Sequence, residues 1–179
     1  MVEPVESTSR SEFVRTALER YEAALVRHAY GITGDLETAR DVVHDTFLKL
    51  FDQPPEAVDG HLAQWLFTVC RNRALDVNRK ESRMTPLIDE QMERIAALDP
   101  SPSAQVEQRD TTRNMLDLID QLPHNQREVV RLKFQEQLSY EEIAAVTSLS
   151  PSNVGFLLHT AIRTLRARLA KLDITLTPR

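Results

Sequence analysis

Apolar residues recur every three or four positions through most of the chain, and the clearest case is the segment 139–169. Ser139 and Glu142 have the spacing of a capping box, which predicts that a short helix begins there. Ser150 caps a second helix, with Pro151 at its first position, where a missing N–H costs nothing. The two helices share an apolar face made of Ile143, Ala144, Val146, Val154, Leu158, Ala161, Leu165 and Leu169. With Thr147–Ser150 as the turn, this pattern predicts a helix-turn-helix.

The same period predicts two helices near the N-terminus, over residues 11–33 and 36–51. Gly31 and Gly34 mark the end of the first helix, and Asp35 can cap the second. The side chains of the second helix that we expect to face inward are Val42, Val43, Thr46, Phe47, Leu50 and Phe51.

The next segment, 52–60, is predicted to be a loop because Pro54 and Pro55 cannot continue a helix. A third helix then starts near Gly60 and fades near Arg83. One stripe of this helix contains Leu62, Leu66, Val69, Arg73 and Val77, with Trp65 beside it.

Residues 84–102 change in character, because prolines bracket an acidic and only weakly amphipathic segment. We interpret them as an interdomain linker, with one short helix around 88–97. The helical pattern resumes at Ser103 and stops at Pro123, and another helix covers 124–135 with Val129, Val130, Leu132 and Phe134 available for packing. The last residues, 173–179, are predicted to fray. The domains are therefore 1–83 and 103–179, joined by the linker.

Composition supports an all-α protein of two small helical domains. The chain has 179 residues, only 4 glycines and 6% aromatic residues, with no segment of strand period. No apolar run is long enough for a membrane span, and the first residues lack the apolar core of a signal peptide. Cys70 is the single cysteine and is expected to be a buried small hydrophobe. We expect a cytoplasmic protein without a metal site, cofactor, catalytic residues or membrane insertion.

The net charge of −5 hides an uneven distribution. Residues 69–83 carry five basic and two acidic side chains, a net charge of +3, and residues 163–171 carry +4 with no acid. Residues 84–110 carry −4 and separate the two basic segments. Most charged runs are simply solvated helix faces. Two basic segments, each beside its own helical motif, favour contact with nucleic acid.

The second helix of the helix-turn-helix can lie in a DNA major groove, although the same pattern also occurs in ordinary helical hairpins. Asn153 can read adenine and Phe156 can touch a thymine methyl group. Ser152 and the helix N-terminus can bind phosphate. The residues expected nearer the outer face are Ser152, Asn153, Phe156, His159, Thr160 and Arg163. For His159 a merely solvated position is an equal alternative.

Two N-terminal motifs each have a functional and a structural interpretation. In residues 65–83 a basic helix beside aromatic side chains suits a nucleic-acid strand with unstacked bases. The alternative is a core tryptophan under a basic helix end, where cations favour the helix dipole. In residues 39–51, apolar side chains on more than one face suggest a helix covered by its own domain and by a partner. The alternative there is deep burial in a helical core.

Together and in this order, these motifs resemble a bacterial sigma factor of the extracytoplasmic-function (ECF) type, over about residues 13–83 and 103–170. Asp41–Leu50, D-x-x-x-D-x-F-L-K-L, resembles the helix of that family that binds core polymerase. Trp65–Arg79, W-L-x-x-x-x-R-N-x-x-x-D-x-x-R, resembles its promoter-melting helix, which reads the minus-ten element. Leu122–Leu132 and Leu138–Ala144 resemble its region 4, which reads the minus-thirty-five element.

The resemblance implies a promoter-specificity factor that binds core RNA polymerase and promoter DNA, both as duplex and as melted strand. An inhibitory anti-sigma partner is also implied, although no residue identifies one. The residues implied to dock on the clamp helices of the largest polymerase subunit are Asp41, Asp45, Phe47, Leu48 and Leu50. Those implied to contact the opened strand are Asn72, Asp76, Arg79, Lys80 and Arg83, and we add Arg73 from the basic helix itself. Those implied on the recognition helix are Ser152, Asn153, Phe156, Thr160 and Arg163.

The loop 52–60 matches the family's loop that holds a flipped-out base. Two departures from the family pattern stand out: His44 replaces the usual glutamine, and Gly155–Leu157 replaces a set that is often basic. Two other functions remain open on sequence grounds. One is a dimeric helix-turn-helix regulator, and the other is a helical interaction protein that has lost DNA binding.

Overall fold

The computed structural model describes residues 4–84 and 115–176, and side chains within 10–80 and 115–170. The chain divides into two compact units, of which the first contains residues 4–84 and the second most of 115–176. All regular structure in the described ranges is helical, which confirms the all-α fold. None of the helices described is both long enough and apolar enough to cross a membrane. The predicted linker and its helix, and the residues 103–114, lie outside the described ranges.

The N-terminal unit begins with two helices joined by a tight turn. Helix α1 covers Pro4–Thr33 and α2 covers Leu36–Phe51. Gly34 has a φ of +73°, a left-handed conformation that glycine adopts without a Cβ clash. The Asp35 carboxylate then accepts a hydrogen bond of 2.7 Å from the Thr38 N–H. This bond caps α2 and lowers the pKa of Asp35.

A proline-rich loop connects α2 to the third helix. The loop contains a short 3-10 turn, Pro55–Ala57, and Val58 is buried behind it. Helix α3 covers Leu62–Met84, as the period predicted. The loop therefore has its own anchor in the core and a compact turn.

The core of this unit lies where α1, α2 and α3 pack together. The rings of His28 and Phe67 meet edge to face, with centroids 5.2 Å apart. The Asn78 amide donates a 3.2 Å hydrogen bond to the Ile32 carbonyl, which ties α3 to the end of α1. The buried apolar side chains of α2 and α3 are Ala39, Val42, Val43, Phe47, Leu50, Leu66, Phe67, Cys70 and Ala74. Phe51, predicted to face inward, is instead 42% exposed.

Cys70 is fully buried, and its thiol lies 3.8 Å from the Leu25 carbonyl oxygen. Burial raises the pKa of the Cys70 thiol to about 12. We expect the native protein to resist thiol reagents at pH 8 and to react fully in urea. The unfolded thiol ionises near pH ~8.5 while the folded one stays neutral. The free energy of unfolding should therefore fall as the pH rises above about 9. Fast labelling of the native Cys70 thiol at pH 8 would contradict the predicted resistance to thiol reagents.

Within the described residues the C-terminal unit starts with α4, the helical segment 115–120, followed by α5, His124–Phe134. Leu118 and Leu122 are buried. The Arg131 guanidinium bonds the Asp120 carboxylate, and Arg127 donates to the Asp120 carbonyl oxygen at 2.9 Å. Burial lowers the pKa of Arg127, which nevertheless stays charged at neutral pH. These two arginines hold the segment 115–120 against the start of α5.

The helix-turn-helix consists of α6, Tyr140–Thr147, and α7, Pro151–Leu176. Three further sequence expectations differ from the structure. Phe134 is 61% exposed and does not pack inward. Helix α1 begins at Pro4, before the predicted residue 11, since proline is well suited to a first helical position. Helix α7 continues to Leu176, since after Gly155 no glycine or proline occurs before Pro178.

Candidate polymerase and nucleic-acid interfaces

The outer face of α2 combines acidic and apolar side chains. Asp41 and His44 are exposed, and Leu48, in the last turn of the helix, is 53% exposed. One turn further, Phe51 adds a second exposed apolar side chain. This outer face, which we call the α2 surface, comprises Asp41, His44, Asp45, Leu48 and Phe51. Sequence reasoning missed Phe51, although its position three residues after Leu48 places both on one side of the helix.

Two residues implied to dock on polymerase are buried in this structure. Phe47 and Leu50 are 6% and 0% exposed, because they face α1 and α3 in the core. A partner on the α2 surface would therefore touch Asp41, Asp45 and Leu48 directly, while Phe47 and Leu50 hold the helix in place. The family motif D-x-x-x-D-x-F-L-K-L thus mixes both faces of one helix.

Helix α3 presents a polar face with two exposed basic side chains toward its C-terminal half. Asn72, Asp76, Arg79 and Lys80 are exposed. Arg79 and Asp76 lie 4.0 Å apart as an exposed pair three residues apart, which leaves the guanidinium accessible. The opposite side of the helix carries the buried Leu66, Cys70 and Ala74. The Arg83 side chain lies outside the described side chains.

Arg73 differs from the other basic residues of α3. Its Nε donates a hydrogen bond of 2.8 Å to the Asp45 carboxylate on α2, so the guanidinium is turned toward α2. The Nε–H of Arg73 is therefore engaged by Asp45 in this structure, and a contact of Arg73 with DNA stays a prediction. The apolar stripe that the sequence suggested through Arg73 gave no sign of this pairing, because its partner is 28 residues away.

Local hydrogen bonds set both helices of the helix-turn-helix, as predicted. The Glu142 carboxylate accepts from the Ser139 N–H at 2.7 Å, and the Ser139 hydroxyl accepts from the Glu142 N–H at 3.2 Å. This reciprocal pair is the capping box of α6. At α7 the Ser150 hydroxyl accepts from the Asn153 N–H at 3.2 Å. Ser148 takes a φ of +59° and turns the chain between the helices.

The recognition helix α7 separates into a buried and an exposed side. Val154, Leu158, Ala161 and Leu165 are buried, whereas Ser152, Asn153, Arg163 and His159 are exposed. Phe156 is exposed to 67%, an apolar side chain held out in solvent on this face. Thr160 is half-buried at the edge. The structure therefore brings the five predicted residues of this helix to its outer side or rim.

Tyr140, which sequence reasoning did not single out, borders this face. A Cβ built on Gly155 would lie 3.5 Å from the Tyr140 ring carbon Cε2, an ordinary contact distance. Lys133 lies over the same ring at 5.4 Å from its centroid. Because Gly155 has no side chain, the ring of Tyr140, the first residue of α6, lies close to α7 at this position.

The replacement Gly155→Ala is expected to stabilise the C-terminal unit by about 0.5–1 kcal/mol, because alanine favours a helix over glycine and meets no clash here. The matched change Gly34→Ala should destabilise the N-terminal unit, because Gly34 has a positive φ. Urea unfolding of both variants, monitored by circular dichroism, measures the two changes in the free energy of unfolding. A destabilised Gly155→Ala variant would contradict the prediction.

Two family models match the chain. Sigma-70 region 2 matches residues 17–84, and Sigma-70, region 4 matches residues 112–165. The first match covers α2 and α3, and the second covers the helix-turn-helix. Together they span the three faces described above, on α2, α3 and the first part of α7.

Curated relatives carry the same family description. The ECF RNA polymerase sigma factor SigE of Mycolicibacterium smegmatis is 30% identical, over 91% of this chain and 62% of its own length. This chain therefore spans less than two thirds of SigE. The ECF RNA polymerase sigma factor SigL of Mycobacterium tuberculosis is 28% identical, over 94% of this chain and 96% of its own.

Solved structures show the same fold. The sigma factor RpoE of Bartonella quintana, in complex with the anti-sigma factor NepR, superposes with a TM-score of 0.65 at 23% identity, covering 87% of this chain and 96% of that one. CnrH, in complex with the cytosolic domain of CnrY, has a TM-score of 0.57 at 22% identity, covering 93% of each chain. With both family regions matched in order on the expected helices, this chain belongs to the RNA polymerase sigma factors of the ECF type, which direct transcription initiation.

Proposed function

We propose that the two units divide promoter recognition between them. Residues 1–83 dock on core RNA polymerase and capture the opened minus-ten strand, residues 84–102 form the linker, and residues 103–179 read the minus-thirty-five element. The observation that carries this proposal is the pairing, within one helical unit, of an exposed apolar side chain on α2 with an exposed basic face on α3. Leu48 and Lys80 represent the two.

Docking on polymerase uses the α2 surface. Asp41 and Asp45 supply negative charge around Leu48, and clamp helices with basic residues around an apolar centre would complement it. Asp35 and Gly34 support this surface from one end, because they set where α2 begins. We place the contact on the clamp helices of the largest polymerase subunit, in keeping with the family resemblance.

Capture of the opened strand uses the outer face of α3. Arg79 and Lys80 supply cations for phosphates, and Asn72 and Asp76 supply polar groups that can contact unpaired bases. Arg83 follows one helical turn after Arg79 in sequence. The loop 52–60, with its 3-10 turn anchored by Val58, is the proposed holder of a flipped base.

Duplex reading uses the first half of α7. The N-terminus of α7 and the exposed Ser152 suit a phosphate, while Asn153 suits an adenine edge. Phe156 suits a thymine methyl group, since it offers apolar area and no donor. Thr160 and Arg163 lie further along the same side of α7 and suit contacts to the DNA backbone.

Two structural relatives support regulation by an inhibitory protein. The two structural relatives were solved with an anti-sigma factor and with the cytosolic domain of CnrY, respectively. We propose that this chain also has an inhibitory protein partner, and that it acts in the cytoplasm without catalysis of its own. The chemistry of RNA synthesis belongs to the polymerase.

Initiation reconstituted from purified components tests the proposal. Core polymerase alone, the chain alone, and their mixture are compared for specific transcripts from a promoter library, with chain mass measured by sedimentation. We expect transcripts only from the mixture and a monomeric free chain. A dimer that binds palindromic duplex tightly without polymerase would support the regulator instead. A folded chain with neither activity would support the interaction protein that has lost DNA binding.

A further inference from the structure

An ion pair joins the two proposed surfaces of the N-terminal unit. The Arg73 guanidinium on α3 donates through Nε to Asp45 Oδ2 on α2, at 2.8 Å. The pairs Arg15–Glu12, Arg40–Glu37 and Arg79–Asp76 instead join residues three positions apart in one helix. The Arg73–Asp45 pair is therefore set by the packing of α2 against α3, and not by local helix geometry.

The exposed fractions of Arg73 and Arg79 show where each of these side chains points. The Arg79 side chain is 73% exposed, as a phosphate contact requires, whereas the Arg73 side chain is only 35% exposed. An Nε–H bond also fixes the plane of the guanidinium, because Nε lies within the rigid fork. Arg73 is thus directed toward α2 and restrains the Asp45 carboxylate from one side.

We propose that Arg73 is a positioning residue for polymerase docking, and not a contact to promoter DNA. It holds Asp45 in the orientation that a basic side chain of the polymerase would meet, so Asp45 loses less rotamer freedom when the complex forms. This inference rests on the docking role proposed above for Asp45. Since Asp45 remains 37% exposed, it can bind a second cation while Arg73 stays in place.

The pair should matter more for docking than for folding. Half-exposed ion pairs contribute little to the free energy of unfolding, so loss of Arg73 should leave the fold intact. Loss of a restraint on one interface side chain should weaken polymerase binding by roughly 3- to 10-fold. The Arg73→Lys variant should recover part of this loss, because a lysine can pair with Asp45 without the planar fork.

The test is a double-mutant cycle on the full chain, with core polymerase as the probe. Dissociation constants are measured for Asp45→Asn, Arg73→Gln, Arg73→Lys and the double variant Asp45→Asn plus Arg73→Gln. The salt dependence of binding to a single-stranded minus-ten oligonucleotide is then measured for each polymerase complex. Arg79→Gln is the contrast on the DNA face, and Arg15→Gln on α1 is the matched arginine control. Trp65 fluorescence and helicity verify the fold.

We expect Arg73→Gln to weaken polymerase binding, to add nothing in the Asp45→Asn background, and to keep the salt slope. Arg79→Gln should lower the slope, as one lost phosphate contact does, and keep polymerase affinity. If Arg73→Gln lowers the slope while polymerase affinity stays unchanged, or if its effect adds fully to that of Asp45→Asn, the inference is wrong. If Asp45→Asn itself has no effect on polymerase binding, the docking role of Asp45 fails, and the inference fails with it.

Discussion

Replacing Leu48 by arginine is expected to weaken capture of core RNA polymerase by at least roughly 30-fold, which corresponds to about 2 kcal/mol. Leu48 is 53% exposed in the middle of the α2 surface, between Asp45 and Phe51. Substitutions of an apolar side chain at the centre of an interface cause the largest losses of binding free energy. The fold should be unaffected, because the side chain already faces water.

The matched control is Leu18→Arg on α1, another partly exposed leucine of the same unit, at 37% exposure. Titration of fluorescently labelled chain with core polymerase measures both variants against the natural sequence. If the two variants lose affinity equally, charge in general opposes binding and the α2 surface is not the docking site. If neither loses affinity, polymerase docks elsewhere on the chain.

Replacing Phe67 by alanine is expected to lower the free energy of unfolding of the N-terminal unit by about 3–5 kcal/mol. Phe67 is 1% exposed, and its ring meets His28 of α1 edge to face. Removing the ring leaves a cavity between α1 and α3 that rigid helices fill only in part. For a small domain this is a large share of the total stability.

The matched control is Phe51→Ala in the same unit, where the ring is 42% exposed and the cost should stay below about 1 kcal/mol. Trp65 is the single tryptophan and lies in α3, so its fluorescence during urea unfolding reports on this unit. Equal urea midpoints of unfolding for the two variants would show that Phe67 does not stabilise this unit more than Phe51 does. Loss of promoter transcription by Phe67→Ala should follow its loss of folded protein.

Local features of the sequence predicted the helices well. The Ser139–Glu142 capping box and the Asp35 cap join groups three residues apart, and Pro151 suits the start of α7 through its own backbone geometry. Such contacts depend little on the rest of the chain, so their residue types reveal them. The same holds for α2, whose start and end both match the prediction at 36–51.

The sites were predicted less completely, because the motif of a helix contains both of its faces. Asp41–Leu50 resembles a docking helix, yet the structure buries Phe47 and Leu50 and exposes Leu48. Phe51 and Phe134 lie in the last turns of their helices, where a small shift in packing decides whether a ring is covered. Periodicity ranks residues around one helix but does not say where neighbouring helices stop covering it.

The sequence by itself determined the all-helical fold, the order of its helices, their caps, and the residue types available for polymerase and DNA. These follow from interactions within one or two helical turns and from the periodic placement of apolar side chains. Only the tertiary structure decided which side of α2 stays open and that Arg73 bonds Asp45 across 28 residues. Both depend on how α1, α2 and α3 pack, because burial and long-range ion pairs arise between helices and not along one.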